Sequence, residues 1–435
     1  MAKRILIITY YWPPSGGSGV LRWVKMTKYL YELGYEPVIY TADNADYPVI
    51  DESIADDLPD SLEVIRQQIW EPYDLYRKFT GKAKEEKFNQ GGFTSATAGN
   101  QKKENLALWI RSNFFIPDAR RFWVKPSVSY LKQYLMNNPV DYIITTGPPH
   151  SLHLIGMKLK KIMNIPWIAD FRDPWTKIYY YPELPLIQPA DALHHHLEKK
   201  VLKNADSVIT VGKTIATELE QISKRYVKVV HNGYDHAEMP EIKPPNNEKF
   251  RIIHTGNISR SKNQPFFWKV LSYFLDKNPG MEEDLEIVLA GTLDYKVDED
   301  LQNYDLEKFV TRTGYLPHHE TLELQQTASL LLLMISDTAH SKGVLTGKLF
   351  EYLASEKPVI AIAPENSDLA DIIRDCKAGE IVGFGDKRKL TNVLSFYYEQ
   401  FQQKKLESTT TQYEKFSRIE LTKKFSEILK STHEE

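Results

Sequence analysis

The sequence predicts an α/β protein made of two doubly wound, Rossmann-like domains facing each other across a cleft, with a C-terminal helix packing back on the first. Three observations lead there. Short apolar runs alternate with helical patterns along nearly the whole chain, the rhythm of parallel β–α–β units. That rhythm stops at a Pro-rich, charged stretch over residues 236–249 and then restarts. A length of 435 residues is too great for one ordinary core and suits two.

Composition narrows the class. With 42% hydrophobic and 26% charged residues the chain reads as a soluble globular protein. A net charge of −3 gives no reason to expect nucleic-acid binding. The one cysteine, Cys376, excludes a disulfide framework and a cysteine metal cluster. No apolar run reaches the length of a membrane span, and the opening MAKRILIITYYWPP is too short for a signal peptide. The expected location is the cytoplasm, peripheral on the inner face of the cytoplasmic membrane if attached at all.

The first domain, residues 1–235, opens with a strand over 4–10 and a loop over 11–19 carrying Pro13, Pro14, Gly16, Gly17 and Gly19. A helix follows, with Val20, Trp23, Val24, Leu30 and Leu33 at helical spacing and Gly34 as its stop; the next strand spans 36–41. Ligands of such sheets bind at the carboxyl ends of the strands. The loop is no dinucleotide fingerprint, since no G-x-G-x-x-G fits. The free amides at Gly17 with Arg22 beside them predict an anion site, against the plainer reading of a structural turn.

An insertion over 71–125 breaks the pattern. Residues 78–105 are polar and read as a mobile loop. In 108–126 aromatics interleave with Arg111, Arg120, Arg121 and Lys125, which suits a membrane interface or a lipid-linked acceptor. An insertion packed on its own domain fits equally.

The pattern resumes with a strand over 141–146 ending in GPPHS, where Ser151 is the expected cap of a helix to 161. A strand over 166–171 ends in DFRDPW. His150 is thereby a candidate acid/base or oxygen-orienting group, beside Asp170, Arg172 and Asp173. The bland alternative is a capping His150 and an internal Asp–Arg ion pair. A helix over 190–204 carries His194, His195 and His196, whose consecutive spacing reads as a solvated face without metal. Strands over 207–211 and 227–231 complete the domain.

The second domain, 250–402, begins with a strand over 251–255, the loop GNISRSKNQ and a helix over 265–275 with Pro at its start. Strands over 286–290, 310–315 and 329–335 and a helix over 319–328 lead to KGVLTGKLFEYLASEKPVIAIAP, residues 342–364. Thr346 is the expected N-cap there. The helix-start amides and Lys348 suit a phosphate, and Gly347 lets it approach. Glu351, a turn further on the same face, can accept two O–H bonds from a vicinal diol such as ribose. Together they describe a nucleotide site, unless Glu351 only complements the helix dipole and Lys348 is solvated. It is not a Walker A loop: Lys342 stands where Gly is needed, and Leu349 where Ser or Thr is needed. A helix over 367–376, a strand over 380–384 and a helix over 389–402 close the domain, and 403–435 forms a C-terminal helical segment.

With these pieces placed, the chain resembles the GT-B glycosyltransferases of family 4, the bacterial cell-surface polysaccharide type. The likeness rests on YWPPSGGSG, TTGPPHS, DFRDPW, ADSVITV and HNGYD in the first half, and on HTGNISRSKN, TGYLP and TGKLFEYLASEKPVIA in the second. It implies that the second domain holds a nucleoside-diphosphate sugar of the UDP or GDP type. Arg260 and Lys262 would face the diphosphate, Gly256 would let the backbone close in, and Thr346, Gly347, Lys348 and Glu351 would complete the donor site, with Gly17 and Arg22 from the first domain. His150 would stand near donor sugar and acceptor, Asp170, Arg172 and Asp173 would shape the acceptor side, and His150, Asp173 and Lys262 would be catalytic. Gly343 departs from the pattern, since many members carry Glu there. The implied reaction is retaining transfer to a saccharide or lipid-linked acceptor, without metal or other cofactor. Two alternatives stand beside it: an epimerase of the same fold, and a non-catalytic nucleotide-binding paralogue.

Overall fold

The computed structural model describes residues 2–47, 49–71, 101–244 and 248–434. The chain divides into two compact units, Met1–His231 with Leu421–Glu435, and Asn232–Glu420.

The first unit holds a seven-stranded sheet in the order β3-β2-β1-β4-β5-β6-β7. Its strands are β1 (Arg4–Ile8), β2 (Glu36–Ala42), β3 (Glu63–Gln67), β4 (Tyr142–Gly147), β5 (Trp167–Phe171), β6 (Ser207–Thr210) and β7 (Lys228–Val229), paired in parallel throughout. Parallel strands covered by helices on both faces read as unbroken apolar runs, which is why RILII and YIITTG stand out. Strand order reverses between β1 and β4, so the loops after these two strands border the crevice where such sheets take ligands. The strand β3 escapes the sequence pattern because it lies at the sheet edge and is only half-buried.

The second unit repeats the plan with six parallel strands: β8 (Phe250–Thr255), β9 (Leu285–Ala290), β10 (Val310–Gly314), β11 (Leu330–Met334), β12 (Val359–Ile362) and β13 (Gly379–Val382), in the order β10-β9-β8-β11-β12-β13. Alternate residues face two apolar layers. Ile252, Ile287, Leu332 and Ile360 pack on one side with Trp268 and Leu394. Ile253, Val288, Leu331 and Val359 pack on the other with Leu349, Phe350 and Leu369. Order reverses between β8 and β11, and the loops after them carry Gly256–Lys262 and the approach to Gly347.

Several local expectations change. Of the stretch 78–105, residues up to 100 lie outside the described residues, while from Gln101 the chain is helical, Gln101–Phe114, and no loop. The rest of the insertion is partly anchored to its own unit. Arg120 pairs with Glu71 at 2.9 Å, and Trp123 stacks on Tyr40 with ring centres 5.1 Å apart. Ser151 does not cap its own helix. The Asp118 carboxylate does so from a distance, accepting from Ser151 N at 2.9 Å and from its hydroxyl at 2.8 Å. Nor is the histidine run wholly solvated: His194 is buried and accepts the Trp175 indole N–H at 3.0 Å. The final helix, Arg418–Glu434, joins the first unit from Leu421 onward, with Phe425 edge-on to Trp23 at 5.8 Å.

Candidate functional site

In the second unit the loop after β8 turns at Gly256, whose φ of +89° belongs to the left-handed region. The missing side chain makes room for Lys348, whose Nζ lies 2.7 Å from where a Cβ would stand. Lys348 opens the helix Gly347–Ala354, and Lys262 comes from the loop after β8. Among the described residues neither ammonium makes a hydrogen bond or ion pair. Burial first, then the charge of Lys262, lowers the Lys348 pKa from 10.5 to about 8, with Glu351 opposing. Burial lowers Lys262 as well. His254, buried on β8, gives its Nδ1 to the Leu332 carbonyl at 2.8 Å and leaves Nε2 buried without a partner. Burial, then the two lysines among its neighbours, hold it neutral with a pKa of about 3. Two partly buried cations this near each other repel, and an anion between them would relieve that repulsion.

Glu351 stands on the same helix. Its Oε1 lies 3.3 Å from His318 Nε2 and its Oε2 accepts from Gln325 Nε2 at 3.5 Å. Burial alone would raise its pKa, but the His318 and Gln325 contacts and Lys348 outweigh it, so the carboxylate is held below its usual range. Nothing lies within 4 Å of a Cβ built on Gly347, which leaves the helix start open. Thr346 occupies the N-cap position in extended conformation, yet its hydroxyl bonds no helix amide and is buried without a partner, contrary to the expected cap. Arg260 is not part of the lysine cluster. It is exposed and its charge acts on Lys296, whereas the charge named beside Lys348 is that of Lys262.

In the first unit Arg22 and Asp170 are not ligand-facing. They form an internal ion pair at 3.2 Å, with side chains 1% and 0% exposed. Asp170 also accepts from Trp23 Nε1 at 2.7 Å and Thr146 at 3.1 Å, and Arg22 donates to the His231 carbonyl at 3.0 Å. A buried charge needs such partners, so this pair corrects both assignments. Gly17 is exposed at the start of the helix Ser18–Glu32 with φ +98° and no side-chain cap beside it. Arg172 donates to the carbonyls of Gly19, at 2.7 Å, and Pro148, so it ties two loops together. A Cβ on Gly19 would sit 2.4 Å from that guanidinium.

What the first unit presents is His150 and Asp173. The His150 ring stacks on Trp175 at 5.0 Å and 3°. Its Nδ1 is buried. Burial, then His153 and Arg172, push its pKa well down, so it is a neutral imidazole. Asp173 is half-buried; burial raises its pKa, with Arg172 opposing and Asp170 adding. A carboxyl pushed upward and a neutral imidazole are the usual currency of proton transfer. Sequence reasoning missed His254, His318, Gln325 and Trp175, whose partners are remote in the chain.

Two family models match consecutive stretches. Glycosyltransferase Family 4 covers residues 92–238 and Glycosyl transferases group 1 covers 235–412. The chain belongs to the GT-B glycosyltransferases of family 4 type. Among solved structures this glycosyltransferase resembles Anabaena Alr3699/HepE in complex with UDP, at 15% identity and a TM-score of 0.62, with 99% of this chain and 100% of that one covered. Sucrose-phosphate synthase from Thermosynechococcus elongatus matches at 15% identity and 0.60, over 99% and 98% of the two chains. A UDP-N-acetylglucosamine 2-epimerase from Listeria monocytogenes matches at 9% and 0.56, over 100% and 97%. At such identities the likeness is one of fold. No curated protein matches the sequence. In this glycosyltransferase, Gly343 ends the 3-10 turn Ser341–Gly343, so no carboxylate stands at that position.

Proposed function

We propose that this glycosyltransferase moves a sugar from a UDP- or GDP-linked donor to a hydroxyl of a saccharide acceptor, with retention at the anomeric carbon. The observation that carries the reading is the pair Lys262 and Lys348, unpaired beside an ionised Glu351. A diphosphate leaving group gains negative charge as the glycosidic bond breaks, and fixed ammonium groups stabilise that charge most. They supply it without a metal ion. Glu351 takes the ribose diol, and the open helix start at Thr346 and Gly347 offers amides to the distal phosphate. The UDP and UDP-glucose complexes of the Anabaena relative make a UDP donor the first to try.

On the acceptor side, Asp173 and the neutral His150 are the groups we assign to the acceptor hydroxyl and the sugar oxygens, with Arg172 and Gly17 shaping the backbone around them. The acceptor we propose is a lipid-linked saccharide of the cell envelope, met on the cytoplasmic face of the membrane through residues 108–126. The test is a thermal-shift screen of UDP- and GDP-sugars. One donor should raise the melting temperature, and Lys262→Ala should abolish the shift without unfolding the protein. An undiminished shift in that variant overturns the site. Conversion of the donor to an isomeric nucleotide sugar without acceptor would replace transfer by epimerisation.

A further inference from the structure

His153 is fully buried in the first turn of the helix Ser151–Met163, one turn beyond His150. Its ring lies flat on Phe171, with centres 4.4 Å and planes 16° apart, so its two nitrogens point in fixed directions. Nδ1 meets the Thr145 hydroxyl at 2.8 Å, and that hydroxyl also takes the Trp167 indole N–H at 2.8 Å. An indole nitrogen only donates, so one lone pair of the Thr145 oxygen is occupied. The hydroxyl has a single proton, and among the described residues the acceptor it meets is His153 Nδ1. Thr145 therefore donates, Nδ1 accepts, and a neutral His153 carries its proton on Nε2. Burial, then Arg172, keeps the ring neutral, its pKa lowered from 6.5 to about 3.

His153 Nε2 and His150 Nδ1 are both buried, and among the described residues neither has a hydrogen-bond partner. The two converge on one spot: a Cβ on Gly147 would lie 2.6 Å from the first and 2.9 Å from the second. Two imidazole nitrogens aimed together also suit a metal ion, but Arg172 sets its positive charge beside both rings and would repel one. A donor on His153 facing an acceptor on His150 satisfies both groups, directly or through one water.

We propose that His153 is a positioning residue: through Trp167, Thr145 and its own Nε2–H it keeps the proton of His150 on Nε2. His150 then meets the substrates as a hydrogen-bond donor and is not the base, which leaves the acceptor hydroxyl proton to the Asp173 carboxylate. What His150 meets rests on the proposed function; its tautomer is measured on the full chain without donor or acceptor. The protein is labelled with nitrogen-15 at its histidines, and long-range nitrogen–proton correlation at neutral pH tells a protonated ring nitrogen from a bare one. Signals lost in His150→Gln and in His153→Gln assign the two rings. In wild type both should carry the proton on Nε2, with Nδ1 bare. His153→Met removes the donor, and His150 should become a mixture of the two tautomers. His153→Gln returns an N–H near the lost Nε2 and should restore the wild-type pattern of His150. Thr145→Val, which takes away the hydroxyl proton that fixes His153, should leave both rings mixed. A wild-type His150 protonated on Nδ1, giving that proton to the Pro174 carbonyl beside its ring, overturns the proposal. So does a His150 tautomer unchanged in His153→Met, which would leave His153 a packing role alone. A nucleotide-sugar screen without a hit would remove the proposed function and leave the tautomer result standing.

Discussion

The ammonium of Lys348 fills the place where a side chain on Gly256 would begin, 2.7 Å from the absent Cβ. One residue is the turn of the loop after β8 and the other the first turn of a helix more than ninety positions on, so the lysine can enter only because the loop has no side chain. Gly256→Ala therefore displaces Lys348 and also forces a residue with a Cβ into φ +89°, a strain of about 1–3 kcal/mol. We expect a lower urea midpoint together with loss of the nucleotide-induced thermal shift. Lys348→Met should lose the shift while keeping the midpoint.

The lowered pKa of Lys348, from 10.5 to about 8, separates two pH dependences. Below about pH 8 the lysine is charged in both folded and unfolded chains, and its burial cost is fully present. Between about 8 and 10.5 the unfolded chain binds the proton and the folded one does not, so this group makes stability rise with pH. Nucleotide affinity moves the other way, because the charge that holds the diphosphate is lost across the same window. Melting temperatures with and without nucleotide, measured from pH 7 to 10, should converge at the alkaline end. In Lys348→Met the two curves should already coincide at every pH.

Glu351 is kept ionised by contacts with His318 and Gln325, and a diol bonded to a carboxylate is worth about 1.5–3 kcal/mol. Calorimetric titration of Glu351→Ala with the donor found in the screen should show a loss of roughly tenfold to a hundredfold. His318→Ala removes one contact that orients the carboxylate and should cost less. Equal affinity in wild type and Glu351→Ala would remove the ribose from this position.

The pair Arg22–Asp170 carries a stability prediction where the sequence suggested a binding one. Asp170→Ala would leave a guanidinium and an indole N–H buried without their shared acceptor, at a cost of about 3–5 kcal/mol. Denaturation should register that loss, while donor affinity in the remaining folded protein stays as in wild type.

These residues also mark what was legible in the chain. The strands other than the edge strand β3 were, because parallel strands between helices read as apolar runs, and so was the spacing of Lys348 and Glu351 within one helix. Arg22 and Asp170 were not: 148 residues separate them, and nothing local says that the arginine turns inward. Asp118 capping the helix at Ser151 is the same case, a remote carboxylate serving free amides that looked available. Arg260 and Lys262 sit in one loop, yet only the latter joins Lys348, since side-chain direction in an irregular loop is set by packing.

Trp175 lies flat on His150, and His194 fixes the indole by accepting its N–H at 3.0 Å. With Nδ1 buried, the stack decides where the other ring nitrogen points and keeps water from one face. Trp175→Phe preserves a stacked ring and should preserve turnover. Trp175→Ala admits water, so the imidazole pKa should climb towards its ordinary 6.5. Wild type should then show no His150 titration by NMR between pH 5.5 and 8, whereas Trp175→Ala should show one, flanked by a new acidic limb in its pH–rate profile. Because donor binding is assigned to the other unit, the KM for donor should hold while kcat falls. A variant with unchanged pH profile and a raised donor KM would mean that the indole supports the fold and not the imidazole.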